Sequence, residues 1–271
     1  MTSPLLLVLS TLAAAPAQVT EVAWRSVARG VDYAAVTLQP KPSIGDGVLH
    51  VVRVDPSKAG VRPLAISQVG GKTRTAREWR DEFKLVAAIN AGMYETNFST
   101  HSGFFRIGEH VNSSKWVKKY QSILVLGPRK PGLPAADIRD AEPGATSAVH
   151  DDYDTVIQNL RLIRGPGANV WKENGRRWSE AAIALDRDGK LLLLFCRSPF
   201  SMHELNEVVL ASQLGIVRAM HVEGGPEASL SLKGNGVDLD LSGSYETGFV
   251  EDDGNKEQWP LPNVIGITAG P

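Results

Sequence analysis

The chain has 271 residues, with 29 Lys and Arg against 30 Asp and Glu. This balance gives no indication of binding to nucleic acid or to an anionic membrane surface. A composition of 42% hydrophobic and 22% charged residues is typical of a globular protein. The only cysteine, Cys196, excludes an intramolecular disulfide and any C-x-x-C metal or redox site. It lies in the apolar run LLLLFC, so we expect it to be buried and unreactive.

The N-terminus differs from the rest of the chain. Residues 5–15 are apolar, which is about the length of the hydrophobic region of a signal peptide and too short to span a bilayer. An A-x-A-like cleavage site, APA, follows at 15–17, although no Lys or Arg precedes Arg25. We therefore expect residues 1–17 to be removed on export to a periplasm or the cell exterior, leaving residues 18–271 as one domain. The alternative is a disordered or membrane-associated N-terminus. No second apolar stretch predicts a transmembrane helix.

The first half of the chain predicts short elements separated by turns. The run VLHVVRVD alternates as a strand does, whereas Trp79 and Phe83 lie one helical turn apart. The predicted elements are strands at 48–55, 84–90 and 122–128, a helix at 75–83, and a surface loop over the Pro-, Gly- and Asp-rich residues 129–144.

The clearest local pattern lies between residues 183 and 230. Two apolar runs in IALDRDGKLLLLF are joined through Asp188-Gly189, which predicts a β-hairpin. The run LLLLF lacks alternation, which favours a strand buried on both faces. Residues 201–215 predict a helix that begins with a capping box between Ser201 and Glu204. Residues 216–222 predict a strand, and this crossover makes the two strands parallel neighbours or near-neighbours.

Two of the predicted strands end in polar residues. Glu223 follows the strand at 216–222, and Asn90 ends the strand at 84–90. In sheets with helical crossovers, ligand sites form where the chain leaves the carboxyl ends of strands. Gly92 and Gly224-Gly225 would let a ligand approach the backbone closely, or they serve tight turns.

Six segments, taken in order, resemble the phosphodiester glycosidase domain family over roughly residues 45–267. They are AINAGMY (88–94), HSGFFRIGEHVNSS (101–114), VIQNLRLIRGPG (156–167), SEAAIALDRDGKLLLL (179–194), MHELNEVVLASQLGIVRAMHVEGGPEASL (202–230) and LPNVIGI (261–267). The chain departs from the family pattern where Glu223 replaces the usual Asp, Pro226-Glu227 replaces Gly-Ser, and Glu180 stands where Arg is common. The resemblance implies hydrolysis of a bond between an anomeric carbon and a phosphate or another glycan group.

Glu223 is the principal candidate for catalysis, because a carboxylate can stabilise or attack an oxocarbenium-like transition state, or activate water. Glu227 or Glu204 would be the second carboxylate, although the capping box explains Glu204 without catalysis. The candidate substrate contacts are Asn90, Gly92, His101, Ser102, Gln158, Arg164, Arg197, His203, His221, Gly224 and Gly225. Structural alternatives are a surface salt bridge for each arginine, a helix start for His203 and a satisfied core residue for His221.

We therefore expect an α+β fold: one domain with a mixed, largely buried β-sheet, hairpins and a few crossover helices. The expected function is that of an exported glycoside hydrolase without a cofactor, acting on a sugar-1-phosphodiester or related linkage in an envelope or extracellular glycan. The alternatives are a non-catalytic glycan- or peptidoglycan-binding protein and a metal-dependent phosphodiesterase. No metal site is expected: DDYD (151–154) favours a solvated loop over a calcium site, and HELNE (203–207) lacks the second histidine of a zinc motif.

Overall fold

The computed structural model describes residues 22–39, 41–141 and 146–270. The predicted signal peptide at 1–17 lies outside these residues. In the described ranges the chain forms two β-sheets and four short helices, and every pair of hydrogen-bonded strands is antiparallel. The α+β class predicted from the sequence is confirmed. The predicted mixed pairing is not found among the described strands, because a strand antiparallel to both lies between the two strands that the crossover joins.

The larger sheet has twelve strands. They are β1 (Arg25–Ala28), β2 (Val31–Thr37), β3 (Val48–Val54), β6 (Phe105–Ile107), β7 (His110–Ser113), β8 (Ser122–Pro128), β9 (Ala136–Asp140), β10 (Tyr153–Arg164), β11 (Ala168–Asn169), β12 (Trp178–Asp186), β13 (Leu191–Phe200) and β14 (Ile216–Gly224). Their order is β1-β2-β3-β13-β12-β14-β10-β6-β7, with β8 and β11 also paired to β10, and β9 to β8.

The smaller sheet has five strands in the order β16-β15-β5-β17-β4. They are β4 (Gly60–Ala65), β5 (Ala87–Asn90), β15 (Ser229–Gly234), β16 (Val237–Ser242) and β17 (Asn263–Thr268). The helices are α1 (Ile66–Val69), α2 (Ala76–Glu82), α3 (Thr146–Asp152) and α4 (Met202–Ala211). No helix in the described ranges is long and apolar enough to cross a membrane.

The main hydrophobic core lies between the two sheets, and β13 contributes to it with alternate residues. Leu193 belongs to the same buried cluster as Ile89 of the smaller sheet. Leu192 instead belongs to a second cluster, which contains Leu205 of α4 on the other face of the larger sheet. The run LLLLF is therefore buried on both faces, as its lack of alternation predicts, and Cys196 is buried with it.

The predicted hairpin and crossover are both present. β12 and β13 pair through the turn at Asp188-Gly189, where Gly189 has φ +74°. Helix α4 begins at the predicted capping box of Ser201 and Glu204. β13 and β14 both pair antiparallel to β12, which lies between them, so they are parallel near-neighbours.

Three predicted boundaries are wrong. Helix α4 ends at Ala211, not at residue 215, because the C-cap Ser212 is extended. The strand predicted at 84–90 begins at Ala87, since Lys84 has a left-handed backbone with φ +53°. The predicted loop 129–144 contains strand β9, which pairs with β8 and buries the apolar side chain of Ile138.

The chain passes directly from the larger sheet to the smaller one at the end of β14. A 3₁₀ turn, Gly225–Glu227, and one further residue, Ala228, separate β14 from β15. β15 pairs with β5, so the end of β14 is brought beside the end of β5 at Asn90. This junction positions the candidate site.

Candidate active site

A cleft of about 270 Å³ lies at the junction of the two sheets. Its walls combine three carboxylates, an imidazole, an indole and a few apolar side chains. The lining residues are Met93, Leu160, Arg176, Trp178, Met202, His221, Glu223, Gly224, Glu227 and Glu246. The structure thus brings together four of the residues that the sequence singles out as site candidates: His221, Glu223, Gly224 and Glu227.

Glu223 lies on β14 next to a bulge. Consecutive residues of β12, Ala181 and Ala182, face Glu223 and His221, so Val222 is the additional residue on β14. Bulges re-aim side chains and are common beside active sites. Here both Glu223 and His221 line the cleft.

The carboxyl of Glu223 favours its protonated form. Burial, followed by the charges of Glu227 and Glu180, raises its pKa to about 8, against the opposing effect of His221. One hydrogen bond, from the backbone N–H of Gly224 to Oε1 at 3.1 Å, partly offsets the rise in this pKa. At pH 7 a group with this pKa is protonated in a ratio of about ten to one.

Behind Glu223, a buried hydrogen-bonded chain connects three side chains. His221 Nδ1 lies 2.7 Å from Glu180 Oε1, and the Trp178 indole N–H donates to Glu180 Oε2 at 2.7 Å. Burial alone would lower the pKa of His221, but the charge and hydrogen bond of Glu180 outweigh it and raise this pKa. Glu180 therefore favours the protonated, cationic form of His221.

Glu227 and Glu246 come together over Gly225. A Cβ built on Gly225 would lie 2.6 Å from Glu246 Oε2 and 3.6 Å from Glu227 Oε2, and Gly225 has φ +63°. Only glycine suits this position, because a side chain would be strained by the backbone and would collide with a carboxylate. Burial and the charge of Glu246 raise the pKa of Glu227.

Asn90 holds the segment that carries Glu227. Its side-chain N–H donates to the Glu227 carbonyl oxygen at 3.0 Å, and its Oδ1 accepts from the Ser229 N–H at 2.8 Å. Asn90 is 1% exposed. Its amide therefore acts on the backbone of the site in this structure, and substrate contact by Asn90 stays a prediction.

His101 and Gly92 lie together beneath the loop that carries Met93. His101 Nε2 lies 2.8 Å from the Gln158 carbonyl oxygen, and burial lowers the pKa of His101 to about 4. A Cβ on Gly92 would lie 2.2 Å from both His101 Cε1 and Asn159 Oδ1. Gly92 is thus required by close packing.

Ser102 and Gln158 support the same loop region. The Ser102 N–H donates to the Met93 carbonyl oxygen at 2.9 Å. The amide of Gln158 is fully buried and bonds to the backbone of Val117 and Tyr120. Ser102 thus holds the backbone at Met93, whereas Gln158 holds the segment at 117–120, and neither residue lines the cleft.

Glu204 and His203 face a different space, a groove of about 700 Å³ that also contains Arg177 and Tyr245. The carboxylate of Glu204 completes the capping box and pairs with Arg177. His203 Nδ1 lies 2.8 Å from the Trp171 carbonyl oxygen. The groove is larger than the cleft, but the cluster of three carboxylates, with the raised pKa values of Glu223 and Glu227, belongs to the cleft.

The two candidate arginines lie apart from the cleft lining. Arg164 is exposed at the end of β10. Arg197 donates to the carbonyl oxygens of Ser242, Asp253 and Asn255 and pairs with the Asp253 carboxylate at 2.7 Å. Arg197 thereby anchors the chain on both sides of the loop that carries Glu246, at Ser242 before it and at Asp253 and Asn255 after it.

Sequence reasoning missed several residues that shape the cleft. Arg176 precedes the hairpin of β12 and β13, Trp178 begins it, and Glu246 lies in an irregular loop without a motif. Tyr94 lies close enough to the carboxylates that burial, then Glu223 and Glu227, raise its pKa. Glu180, which bonds to His221 and Trp178, was also missed as a site residue, although the sequence marks it as a departure from the family pattern. In the described part of the chain, no three His, Cys, Asp or Glu side chains are arranged to hold a metal ion.

Comparisons with known proteins agree with this architecture. The model of the phosphodiester glycosidase family matches residues 83–268, a span that contains every residue lining the cleft. A search of curated proteins finds no match.

Two solved structures share the fold. The catalytic domain of zebrafish N-acetylglucosamine-1-phosphodiester alpha-N-acetylglucosaminidase, auto-inhibited by its pro-peptide, aligns with a TM-score of 0.61 at 13% identity, over 93% of this chain and 87% of that one. A hypothetical protein from Synechocystis aligns with a TM-score of 0.58 at 14% identity, over 94% of this chain and 68% of that one. At these identities the likeness shows the fold alone.

Proposed function

Because the chain belongs to the phosphodiester glycosidase family, we propose that it hydrolyses the bond between an anomeric carbon and its leaving group. The substrate is a sugar-1-phosphodiester or a related glycoside of an envelope or extracellular glycan. The observation that carries this proposal is the position of Glu223, a carboxyl that favours its protonated form, in the same cleft as Glu227. Glycoside hydrolysis generally uses two carboxyl groups, one of which acts as the acid.

In this proposal Glu223 is the general acid. Its proton moves to the oxygen of the leaving group as the bond to the anomeric carbon breaks. Glu227 is the second carboxylate, which stabilises the positive charge that develops on the sugar and either attacks the anomeric carbon or activates a water. His221 and Trp178 position Glu180 behind Glu223, and the negative charge of Glu180 helps Glu223 to keep its proton.

The proposed site of action rests on the pattern of the N-terminal sequence. The apolar residues 5–15 and the APA sequence support export with removal of residues 1–17. An exported enzyme of this kind meets glycans of the envelope or of the extracellular space.

The test is the release of free sugar from a panel of sugar-1-phosphodiesters and glycosides by the purified protein, by Glu223→Gln and by Glu257→Gln. Glu257 is exposed and lies outside the cleft, so its variant controls for the chemical change alone. We expect release that Glu223→Gln abolishes, that Glu257→Gln leaves unchanged and that a chelator does not inhibit. Glycan binding without turnover would favour the binding protein, and inhibition by a chelator would favour the metal-dependent phosphodiesterase.

A further inference from the structure

The cleft carries an unusual balance of charge for a site that receives a phosphate. Glu223, Glu227 and Glu246 line it, and Glu180 lies directly behind His221. Among the described residues, the only basic side chains in its lining are Arg176 and His221, and His221 is already paired with Glu180. With Glu223 protonated and Glu180 paired with His221, the lining still presents two carboxylates, Glu227 and Glu246, against one arginine.

The hydrogen-bond donors of the cleft point at its own carboxylates. The Gly224 N–H donates to Glu223, the Trp178 indole N–H donates to Glu180, and His221 Nδ1 contacts Glu180. Tight recognition of a phosphate oxygen requires charge-assisted N–H donors, such as a bidentate arginine or several free backbone N–H groups. Of the two basic side chains in the described lining, Arg176 is exposed and His221 is already paired with Glu180.

A phosphodiester would also come close to charges of its own sign. Glu246 and Glu227 both lie within 4 Å of one point above Gly225, and neither carboxylate forms an ion pair with a described residue. Like charges that approach in a partly buried site repel strongly and reject a ligand as effectively as a steric clash. The same charges attract an ammonium group and tolerate an uncharged sugar.

We infer that the leaving group in this cleft is an uncharged or amine-bearing sugar hydroxyl rather than a phosphodiester. This inference rests on the proposed function and selects between its two substrate classes. A sugar hydroxyl is a poor leaving group as an alkoxide, so it requires an acid, whereas a phosphate departs with little need for a proton. The protonated carboxyl of Glu223 supplies what the alcohol needs.

The reaction balances without a further reagent. The C1–O bond breaks as the proton of Glu223 moves to the departing oxygen, which leaves as an alcohol. A water then adds its hydroxyl to C1, directly or after a covalent intermediate with Glu227, and its remaining proton restores a carboxyl of the pair.

The test compares two kinds of leaving group on the same sugar. The sugars are glucose, galactose, mannose and N-acetylglucosamine, each in both anomeric configurations. For each sugar, kcat/KM is measured with three leaving groups: a second, uncharged sugar, glucosamine as the second sugar, and methyl phosphate. For whichever sugar the protein hydrolyses, we expect kcat/KM to be at least about 100-fold higher when the leaving group is a sugar than when it is methyl phosphate. A faster reaction of the phosphodiester would overturn the inference.

A binding measurement keeps this inference distinguishable from the proposed function. By calorimetry with the same ligands, Glu246→Gln should strengthen binding of the 1-(methyl phosphate) about 5-fold or more, weaken binding of the glucosamine-containing disaccharide, and leave the uncharged one unchanged. The control Glu257→Gln should change none of them. If no substrate turns over but these shifts occur, the proposed function fails and the charge selectivity stands. Phosphodiester binding that is tighter than that of both disaccharides and insensitive to Glu246→Gln would overturn the selectivity.

Discussion

His221 and Glu180 form a buried ion pair across β14 and β12, with Nδ1 and Oε1 2.7 Å apart. Their side chains are 6% and 4% exposed, so water does little to stabilise either charge alone. Removal of one partner from such a pair leaves an uncompensated buried charge, which typically costs about 3–5 kcal/mol.

We therefore predict that Glu180→Gln lowers the free energy of unfolding by about 3 kcal/mol or more at pH 6, measured by urea denaturation. The pair should contribute most at low pH, because the raised pKa of His221 gives stability that is present below its unfolded pKa and lost as pH rises through the folded one. Lys233→Gln is the control: its ion pair with Asp238 is exposed, so its loss should cost less than about 1 kcal/mol. Equal costs for the two variants would contradict the buried pair.

The second prediction concerns the pH dependence of activity. If protonated Glu223 is the acid, kcat/KM should fall above pH 8, because the pKa of Glu223 is about 8. The slope should approach a tenfold loss per pH unit, and Glu223→Gln should lower kcat by about 10²–10⁴-fold and remove this limb of the profile. An alkaline limb that persists in Glu223→Gln would assign the ionisation to another group.

Glu223 should also reduce the stability of the protein at neutral pH. Its folded pKa of about 8 lies above the unfolded value of about 4.3, so between these values the folded state binds more protons. Stability then falls as pH rises through this interval.

Glu223→Gln cannot ionise, so its stability relative to the unmodified protein should increase from pH 5 to pH 8. We expect a gain on the order of 3–4 kcal/mol between pH 5 and pH 8, because each unit between the unfolded and folded pKa values of Glu223 corresponds to about 1.4 kcal/mol. Thermal unfolding of both proteins across this range checks the prediction. A gain that is independent of pH would show that ionisation is not its cause.

Asn90 is predicted to control the position of Glu227 rather than to act only in the core. Asn90→Ala removes the hydrogen bonds to the Glu227 carbonyl and the Ser229 N–H, and leaves these two backbone groups without the partner that Asn90 provides. We expect a loss of about 2–4 kcal/mol in unfolding free energy and a lower kcat. Asn174→Ala, which changes an exposed asparagine, should cost under about 1 kcal/mol. A loss of stability with unchanged kcat would limit Asn90 to a structural role.

Gly225→Ala combines backbone strain with a collision. The new methyl would lie 2.6 Å from Glu246 Oε2 at a φ of +63°. Gly132→Ala isolates the strain, because Gly132 has φ +83° with no atom within 4 Å of an added Cβ. We expect Gly132→Ala to cost about 1 kcal/mol and leave activity unchanged, and Gly225→Ala to cost more and reduce kcat. Equal effects of the two variants on both readouts would rule out a role for the collision.

Much of the local structure follows from the sequence because it depends on residues close together in the chain. The capping box of Ser201 and Glu204 closes within one helical turn, and the hairpin at Asp188-Gly189 within a few residues. The burial of LLLLF follows from its composition. The family, too, could be identified from short motifs in order, and the match over residues 83–268 confirms it.

The ends of the strands and helices were less predictable, since they depend on hydrogen bonds between strands and on backbone conformation. Strand β9 lies in a segment that reads as a loop, and only its hydrogen bonds to β8 make it a strand. Lys84 ends the helical region through a left-handed backbone that its residue type does not predict.

From the sequence alone, a strand at 216–222 is followed by Glu223, two glycines and a second carboxylate, and the structure extends this strand to Gly224. The folded chain adds three relationships that no local pattern indicates: this segment joins two sheets, Glu180 on β12 pairs with His221, and Glu246 lies beside Glu227 over Gly225. The physical reason is the range of the interactions. Capping and hairpin turns act between near neighbours, whereas the charges of the cleft meet through strand pairing between segments that are distant in the chain.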